Sequence, residues 1–474
     1  MNDYDLIIIG GGGAGLAAGI MAREAGASCI ILEADKKLGG ATALSAAVMY
    51  AAGTSVQRAA GIRGDTPEAM YHYIMTLAGW EANPRIVRIL CEQSGPGLEW
   101  LISLGVEFPP QYLVCSGVDD VPRGHPSLGA GGTVAERLIN AAGARGVEHA
   151  LDTRVDALLA EKGRVVGVRC GATELRGGAV LIATGGFGNS PEMIERLFPT
   201  AARNGGDWTY AVHYAAPFIL GDGIKLGESV GAALVGRDTG LLLPTSGLGR
   251  FVEAFLPPWI MLVNIAGRRF MDEAAPYAVS GYIINAQPQQ RCYALFDSVA
   301  LEEGSQDMRF ADPYHSGAAM PTWEYNLLKR SIESGKVVQG ASVSRLANLI
   351  GVNPTALEAS VEQYNADCDR GLDSQFFKET ERFFPLRTPP FYAREVRASV
   401  IGQTGAGLDI NERAQVLDGR GHAIPGLYAA GEVLGCSCGR RYSGGGMGIC
   451  NAIVFGRIAG TAAAAEALEQ RRAA

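Results

Sequence analysis

The sequence predicts an α/β fold whose first unit is a Rossmann-type βαβ nucleotide-binding module, and three observations carry this. Residues 5–9 are a short β-branched run of the kind that forms a buried parallel strand. They enter a Gly-x-Gly-x-x-Gly turn at Gly10, Gly12 and Gly15, and a helical pattern follows to Ala25 and closes at Gly26. A second strand over 28–32 ends on Glu33, near the roughly 20-residue distance at which the motif carries its acidic residue.

Each piece has a physical task. Gly10 permits the tight turn, Gly12 lets backbone approach a pyrophosphate, and Gly15 allows helix and strand to pack closely. The helix N-terminus offers unpaired N–H groups and partial positive charge to the phosphates. Glu33 accepts hydrogen bonds from ribose hydroxyls.

Length and composition bound the rest. A chain of 474 residues exceeds one compact core, so two domains are expected. With 47% hydrophobic and 19% charged residues it is globular rather than disordered. Its 64 glycines fall in runs, which suggests backbone brought close to a ligand. A net charge of -8 without a basic stripe argues against a nucleic-acid partner. The cysteines are scattered and read as reduced thiols. Cys436 and Cys438 form a lone Cys-x-Cys, too few ligands for a metal site, so no metal is expected. Residues 6–9 are too short for a signal segment and no apolar run reaches membrane-span length, so the expectation is a cytoplasmic protein without a membrane span.

Further motifs follow in order. Residues 38–45 (Leu-Gly-Gly-Ala-Thr-Ala-Leu-Ser) come directly after the first module, and 180–186 (Val-Leu-Ile-Ala-Thr-Gly-Gly) end a strand. Gly221-Asp222-Gly223 marks a turn, 426–432 (Gly-Leu-Tyr-Ala-Ala-Gly-Glu) another strand end, and 455–460 lie in a closing helix. Taken together, this ordered set resembles the flavoprotein superfamily of fumarate reductases, succinate dehydrogenases and 3-ketosteroid dehydrogenases, over essentially the whole chain.

The resemblance implies a glutathione-reductase-like FAD-binding domain, residues 1–237 and 391–474, with an α+β cap domain inserted at 238–390. FAD contacts are then expected from Gly10, Gly12, Gly13, Ala14, Gly15, Glu33, Ala34, Gly40, Ala41, Thr42, Ser45, Ala183, Thr184, Gly185, Gly186, Asp222, Gly431, Glu432, Gly448 and Ile449. No histidine lies in 39–45, where covalently flavinylated members carry theirs, so FAD is expected to be held non-covalently. In the cap, residues 261–273 read as a strand, a turn at Ala266-Gly267 and a second strand. Residues 343–369 read as helical, with Pro354 opening a second helix.

The family's charged substrate clamp is replaced here. Tyr442 stands where fumarate reductases carry an arginine, Gln403 where they carry a histidine, and Ala274-Ala275-Pro276-Tyr277 where the proton-delivering arginine is expected. The pattern is similar to that of 3-ketosteroid dehydrogenases, and Gly444 favours the Δ1 branch over the Δ4 branch, which has a serine there. The resemblance implies Tyr277 as the base for an α-proton, with Tyr442 O–H and the Gly446 amide stabilising the enolate. Tyr112 and His125 are further candidates, and Arg123, Arg440 and Arg441 could supply an anion site. The leading expectation is α,β-dehydrogenation of a cyclic ketone, with a small-molecule ketone and an unidentified electron acceptor as partners. The alternatives are a fumarate-reductase-type ene-reductase acting on an unsaturated acid or enone, and a flavin-fold binding protein without turnover.

Overall fold

The computed structural model describes residues 2–250, 256–304, 323–379, 381, 383–435, 437, 439 and 441–473. Cys436, Cys438 and Arg440 lie outside the described residues.

The chain opens with β1 (Tyr4–Ile9), α1 (Gly13–Glu24) and β2 (Cys29–Leu32), the module the glycine pattern predicts. A short α2 (Gly40–Leu44), the antiparallel pair β3 (Val48–Tyr50) and β4 (Gly124–Pro126), α3 (Ala130–Ala144) and β5 (Glu148–Ala150) follow. Next come β6 (Ala157–Glu161), β7 (Arg164–Cys170), β8 (Thr173–Ile182) and α4 (Asp222–Ser229). The middle of the chain supplies β9 (Gly240–Thr245), β10 (Met261–Asn264), α5 (Tyr277–Asn285), β11 (Cys292–Asp297), α6 (Val343–Ile350), α7 (Pro354–Arg370) and β12 (Phe391–Thr404). The chain closes with β13 (Gln415–Leu417), β14 (Ala423–Ala429) and α8 (Met447–Ala473).

Among the described residues eight strands form the first sheet, in the order β13-β14-β8-β1-β2-β5, with β7 and β6 branching from β8. β14, β8, β1, β2 and β5 run parallel, so both faces need covering. The Leu6–Ile9 stretch and most of β2 are accordingly buried. α8 covers one face and lies directly on α1. A Cβ at Gly456 would sit 2.5 Å from the Ala14 carbonyl oxygen, and one at Gly460 would sit 2.3 Å from that of Ala18. By length and composition α8 could cross a membrane, contrary to the reading that no apolar run is long enough. Most of its apolar stretch is buried inside the protein, as in a core helix.

In the second sheet β9, β12, β11 and β10 pair antiparallel in that order, and β12 also takes the short strands Tyr210–Ala211, in parallel, and Val338–Gly340, antiparallel. The expected cap boundary at 390/391 falls at the start of β12, which pairs with β9 and β11, so this sheet extends to Thr404. The predicted helices at 343–369 form as two, with the Asn353 side chain accepting from the Ala356 amide to start α7. The predicted hairpin at 261–273 forms only its first strand and turn. Its second strand reduces to one bridge between Val263 and Arg269, and β10 pairs with β11 instead.

Arg269 explains the difference, because its guanidinium turns inward. It donates to both oxygens of Glu273 at 2.8 Å and to Asp373 at 2.8 Å. Lys378 Nζ lies 3.1 Å from Glu273 Oε2, and the Leu262 amide donates to Glu273 Oε1 at 3.0 Å. All four charged groups are buried and balance in sign. Burial pushes the Glu273 carboxyl up, but Lys378 and Arg269 outweigh it and hold the group below the usual carboxylate range. Glu273→Ala leaves two buried cations with one carboxylate between them. It is expected to lower unfolding free energy by about 3–5 kcal/mol in denaturant titrations, and a loss below about 1 kcal/mol would show that the cluster is not structural.

Candidate active site

A cleft runs from the C-terminal ends of β1 and β2 to the underside of the second sheet, the position at which open α/β sheets bind ligands. The cavity inside it is about 400 Å³, within the roughly 300–1,000 Å³ range of ordinary small-ligand pockets.

At one end Gly10, Gly12, Gly13 and Ala14 line the wall, opposite Glu33, Ala34 and Asp35. Gly15 does not line the cleft. A Cβ there would meet the Gly10 carbonyl oxygen at 2.0 Å, so its bareness closes the turn on itself. Gly12 is different, because a Cβ there meets no protein atom within 4 Å and its open side belongs to the cleft. Glu33 is buried, and its two oxygens accept from the amides of Gly11 at 2.7 Å and Asp35 at 2.8 Å. Thr42 Oγ1 accepts from the Gly13 amide at 3.2 Å, tying α2 to the turn, and Gly40, Ala41 and Ser45 continue this wall.

Ala183, Thr184, Gly185, Asp222, Gly431, Glu432, Gly448 and Ile449 line the middle. Gly186 stands behind them, where a Cβ would meet Thr404 Oγ1 at 2.1 Å and Glu432 Oε1 at 2.4 Å. The Thr404 amide and hydroxyl both donate to Glu432 Oε1, at 2.8 and 2.9 Å. Burial pushes the Glu432 carboxyl up, against the lowering effect of those two bonds. Glycines open toward the cleft, amides at the start of α1 and carboxylates at two strand ends suit an extended dinucleotide.

At the far end Tyr277, Gln403, Tyr442 and Gly446 line the same cleft. Tyr277 is the first residue of α5, and Tyr442 sits in the loop before α8; both are buried. The loop is clamped to the helix Pro67–Leu77 and to the segment before β4. Tyr73 O–H donates to the Ser443 carbonyl at 2.6 Å, and Ser116 exchanges two hydrogen bonds with Gly445, at 2.8 and 2.9 Å.

Two catalytic candidates lie elsewhere. His125 is buried in β4, with Nε2 2.8 Å from Thr54 Oγ1 and Nδ1 2.7 Å from the Arg123 carbonyl, and it does not line the cleft. Burial pushes its pKa down to about 4, against the raising effect of those carbonyls, so the ring is neutral at pH 7. Tyr112, half-buried in a 3-10 turn at Pro110–Tyr112, is also outside the lining. Arg123 is buried against Asp65 and Asp119, which neutralise it, and Arg441 is exposed. Among the described lining residues the one guanidinium is Arg154, at the Glu33 end, 2.6 Å from Asp222 Oδ1.

Sequence reasoning missed several lining residues, His213, Phe218 and Arg154 among them. Residues 213–218 form no regular element and carry no motif. The wall is held by Asn189, whose Nδ2 donates to the carbonyls of His213, Ala216 and Phe218 at 3.1, 3.0 and 3.1 Å. Among the described residues no group pairs with the His213 ring, and burial lowers its pKa.

Comparison with known proteins identifies the family. The pattern of a family described as an FAD binding domain matches residues 5–449. An NADH:fumarate oxidoreductase of Klebsiella pneumoniae is 30% identical over 98% of this chain and 48% of its own length. A fumarate reductase (cytochrome) of Shewanella frigidimarina is 29% identical over 98% of this chain and 77% of its own. The chain thus spans about half of the first relative and three-quarters of the second. Among solved structures, a 3-ketosteroid-Δ4-(5α)-dehydrogenase from Rhodococcus jostii, in complex with 4-androstene-3,17-dione, matches with a TM-score of 0.80, 27% identity and 98% of both chains covered.

Gly12→Val puts its Cβ where no protein atom lies within 4 Å and fills cleft space. It is expected to fold with wild-type secondary structure yet purify with less than about a tenth of the flavin, read from the visible absorbance; stoichiometric flavin in this variant would overturn the cradle assignment. His125 gives a pH signature. Its unfolded-state pKa is near 6.5 and its folded value near 4, so the unfolded chain binds more protons in between. Stability is expected to fall as pH drops from about 6.5 toward 4, and His125→Gln should flatten that limb of the Tm–pH curve.

Proposed function

Because the chain belongs to the FAD-binding family that includes the fumarate reductases, we propose that it is a flavoenzyme that dehydrogenates a neutral cyclic ketone at the carbons α and β to its carbonyl. One observation carries this reading. Tyr277 and Tyr442 face one cleft whose described lining offers no arginine or lysine at their end. Fumarate-like dianions need cationic, often bidentate partners, whereas a ketone needs neutral hydrogen-bond donors. The Rhodococcus structure, which holds a ketosteroid, supports the same substrate class.

The residues divide the work. Tyr442 O–H and the Gly446 N–H donate to the substrate carbonyl oxygen and stabilise the enolate that forms as the α-proton leaves. Tyr277, deprotonated, takes that proton, so the C–H electron pair stays on the substrate as the enolate. When bound without a covalent link, FAD supplies the acceptor for the hydride leaving the β-carbon. Gln403, which lines the same cleft, is likewise without fixed charge. The partners are then a small ketone and an external electron acceptor. The described cysteines carry free thiols, which supports a reducing, cytoplasmic setting.

A second reading has its own support in the fumarate reductase relatives: the same groups serve the reverse reaction, with Tyr277 returning a proton to the α-carbon of an enone or unsaturated acid. One experiment separates the two. Holoenzyme mixed anaerobically with 4-androstene-3,17-dione, or with an uncharged cyclohexanone, is expected to bleach its oxidised flavin band. Tyr277→Phe should slow the bleaching at least about 100-fold while retaining flavin. A band untouched by both ketones, with reduced enzyme reoxidised by an enoate, would replace the dehydrogenase reading with the reductase one.

A further inference from the structure

Tyr277 and Tyr442 face one cleft, yet they come from different parts of the molecule. Tyr277 opens α5, which packs on β9 and β12 of the second sheet. Tyr442 belongs to the loop before α8, and the next residues of that loop are fixed to the nucleotide-binding half through Tyr73, Ser116 and the Tyr50 amide, which donates to the Gly446 carbonyl at 3.3 Å. The backbone of Tyr442 itself is held from the other side. Its N–H donates to the hydroxyl of Tyr282 at 3.1 Å, and Tyr282 O–H donates in turn to the Gly240 carbonyl. Tyr282 lies on the same helix as Tyr277. Gly240 opens β9 with φ +148, and a Cβ there would meet the Gln403 carbonyl oxygen at 2.5 Å, so this acceptor is fixed by close strand packing.

One phenol thus joins three segments: the helix of the proposed base, the strand at Gly240 and the loop of the proposed oxyanion donor. Between Tyr442 and Ser443 the loop passes from the grip of the second sheet to that of the nucleotide-binding half. We infer that Tyr282 is a positioning residue that fixes the spacing of Tyr277 and Tyr442, by holding the Tyr442 backbone against the helix that carries Tyr277. The catalytic consequence rests on the function proposed above; the positional one does not. A phenol on a short helix suits the task, since its ring is rigid and its oxygen donates and accepts at once. Misplacing a reacting group by about 1 Å costs on the order of 100-fold in rate.

Tyr282→Phe removes the hydroxyl and keeps the ring. In the holoenzyme, hydrogen–deuterium exchange at the Tyr442 amide is expected to quicken at least about tenfold, with flavin content and Tm as in wild type. Flavin bleaching by 4-androstene-3,17-dione should slow about tenfold with unchanged half-saturation. In a Tyr442→Phe background the second substitution should cost less than about twofold, because both changes act through the same donor. Unchanged exchange, or an equal rate loss in both backgrounds, overturns the inference. If wild type is bleached by no ketone, the functional reading fails, and the exchange result alone decides whether Tyr282 holds Tyr442. If Tyr282→Phe loses its flavin, the wild-type amide decides: protection at Tyr442 no greater than at exposed Arg441 sinks the proposal.

Discussion

Direct backbone contact between the first and last helices is the constraint on which the rest of the molecule depends. Gly456 and Gly460 let α8 rest on the carbonyls of Ala14 and Ala18 in α1. That contact fixes the helix whose N-terminus faces the cleft, and the Arg471–Asp5 pair at 2.8 Å extends it to the last turn of α8. The strand ends that carry Glu33 and Glu432 come from opposite ends of the sequence, yet they form one wall because the two termini share a sheet and a helix pair. The segment between them can carry a second sheet over the cleft without breaking that core.

Local signals made the nucleotide-binding half legible. The β-branched run of β1, the glycine spacing and the acidic end of β2 sit within about thirty-five residues, and each is dictated by sterics or by a helix end. The helices at 343–369 were equally plain, because Pro354 marks a start by chemistry alone. The second strand after Ala266-Gly267 was not. The turn at Ala266-Gly267 suggested a hairpin, but Arg269 finds Asp373 more than a hundred residues away, and that buried pairing outweighs the local pattern. For the same reason the reach of β12 into the second sheet was invisible: pairing to β9 and β11 is a long-range property.

The site was legible only in part. Tyr277 and Tyr442 stood out because of their surroundings in a family pattern, and they do share the cleft. Arg123 and His125 were candidates too, and neither lines the cleft. Both are polar groups of the kinds that active sites use, but here Asp65 and Asp119 neutralise the first, and backbone carbonyls and Thr54 satisfy the second. Whether a buried polar residue serves structure or chemistry depends on partners that sequence spacing does not reveal. Tyr282 is the converse case, an ordinary aromatic on a short helix whose importance lies in the two segments its oxygen reaches.

Asn189 holds the 213–218 wall by carbonyl oxygens, and every residue type has one. The shape of that wall is therefore insensitive to which side chains it bears. Mutations there can alter what the cleft accepts while leaving the wall's path and the cofactor cradle intact. Such a segment is a natural place for new substrate preferences to evolve, one residue at a time, without first passing through an unstable ancestor.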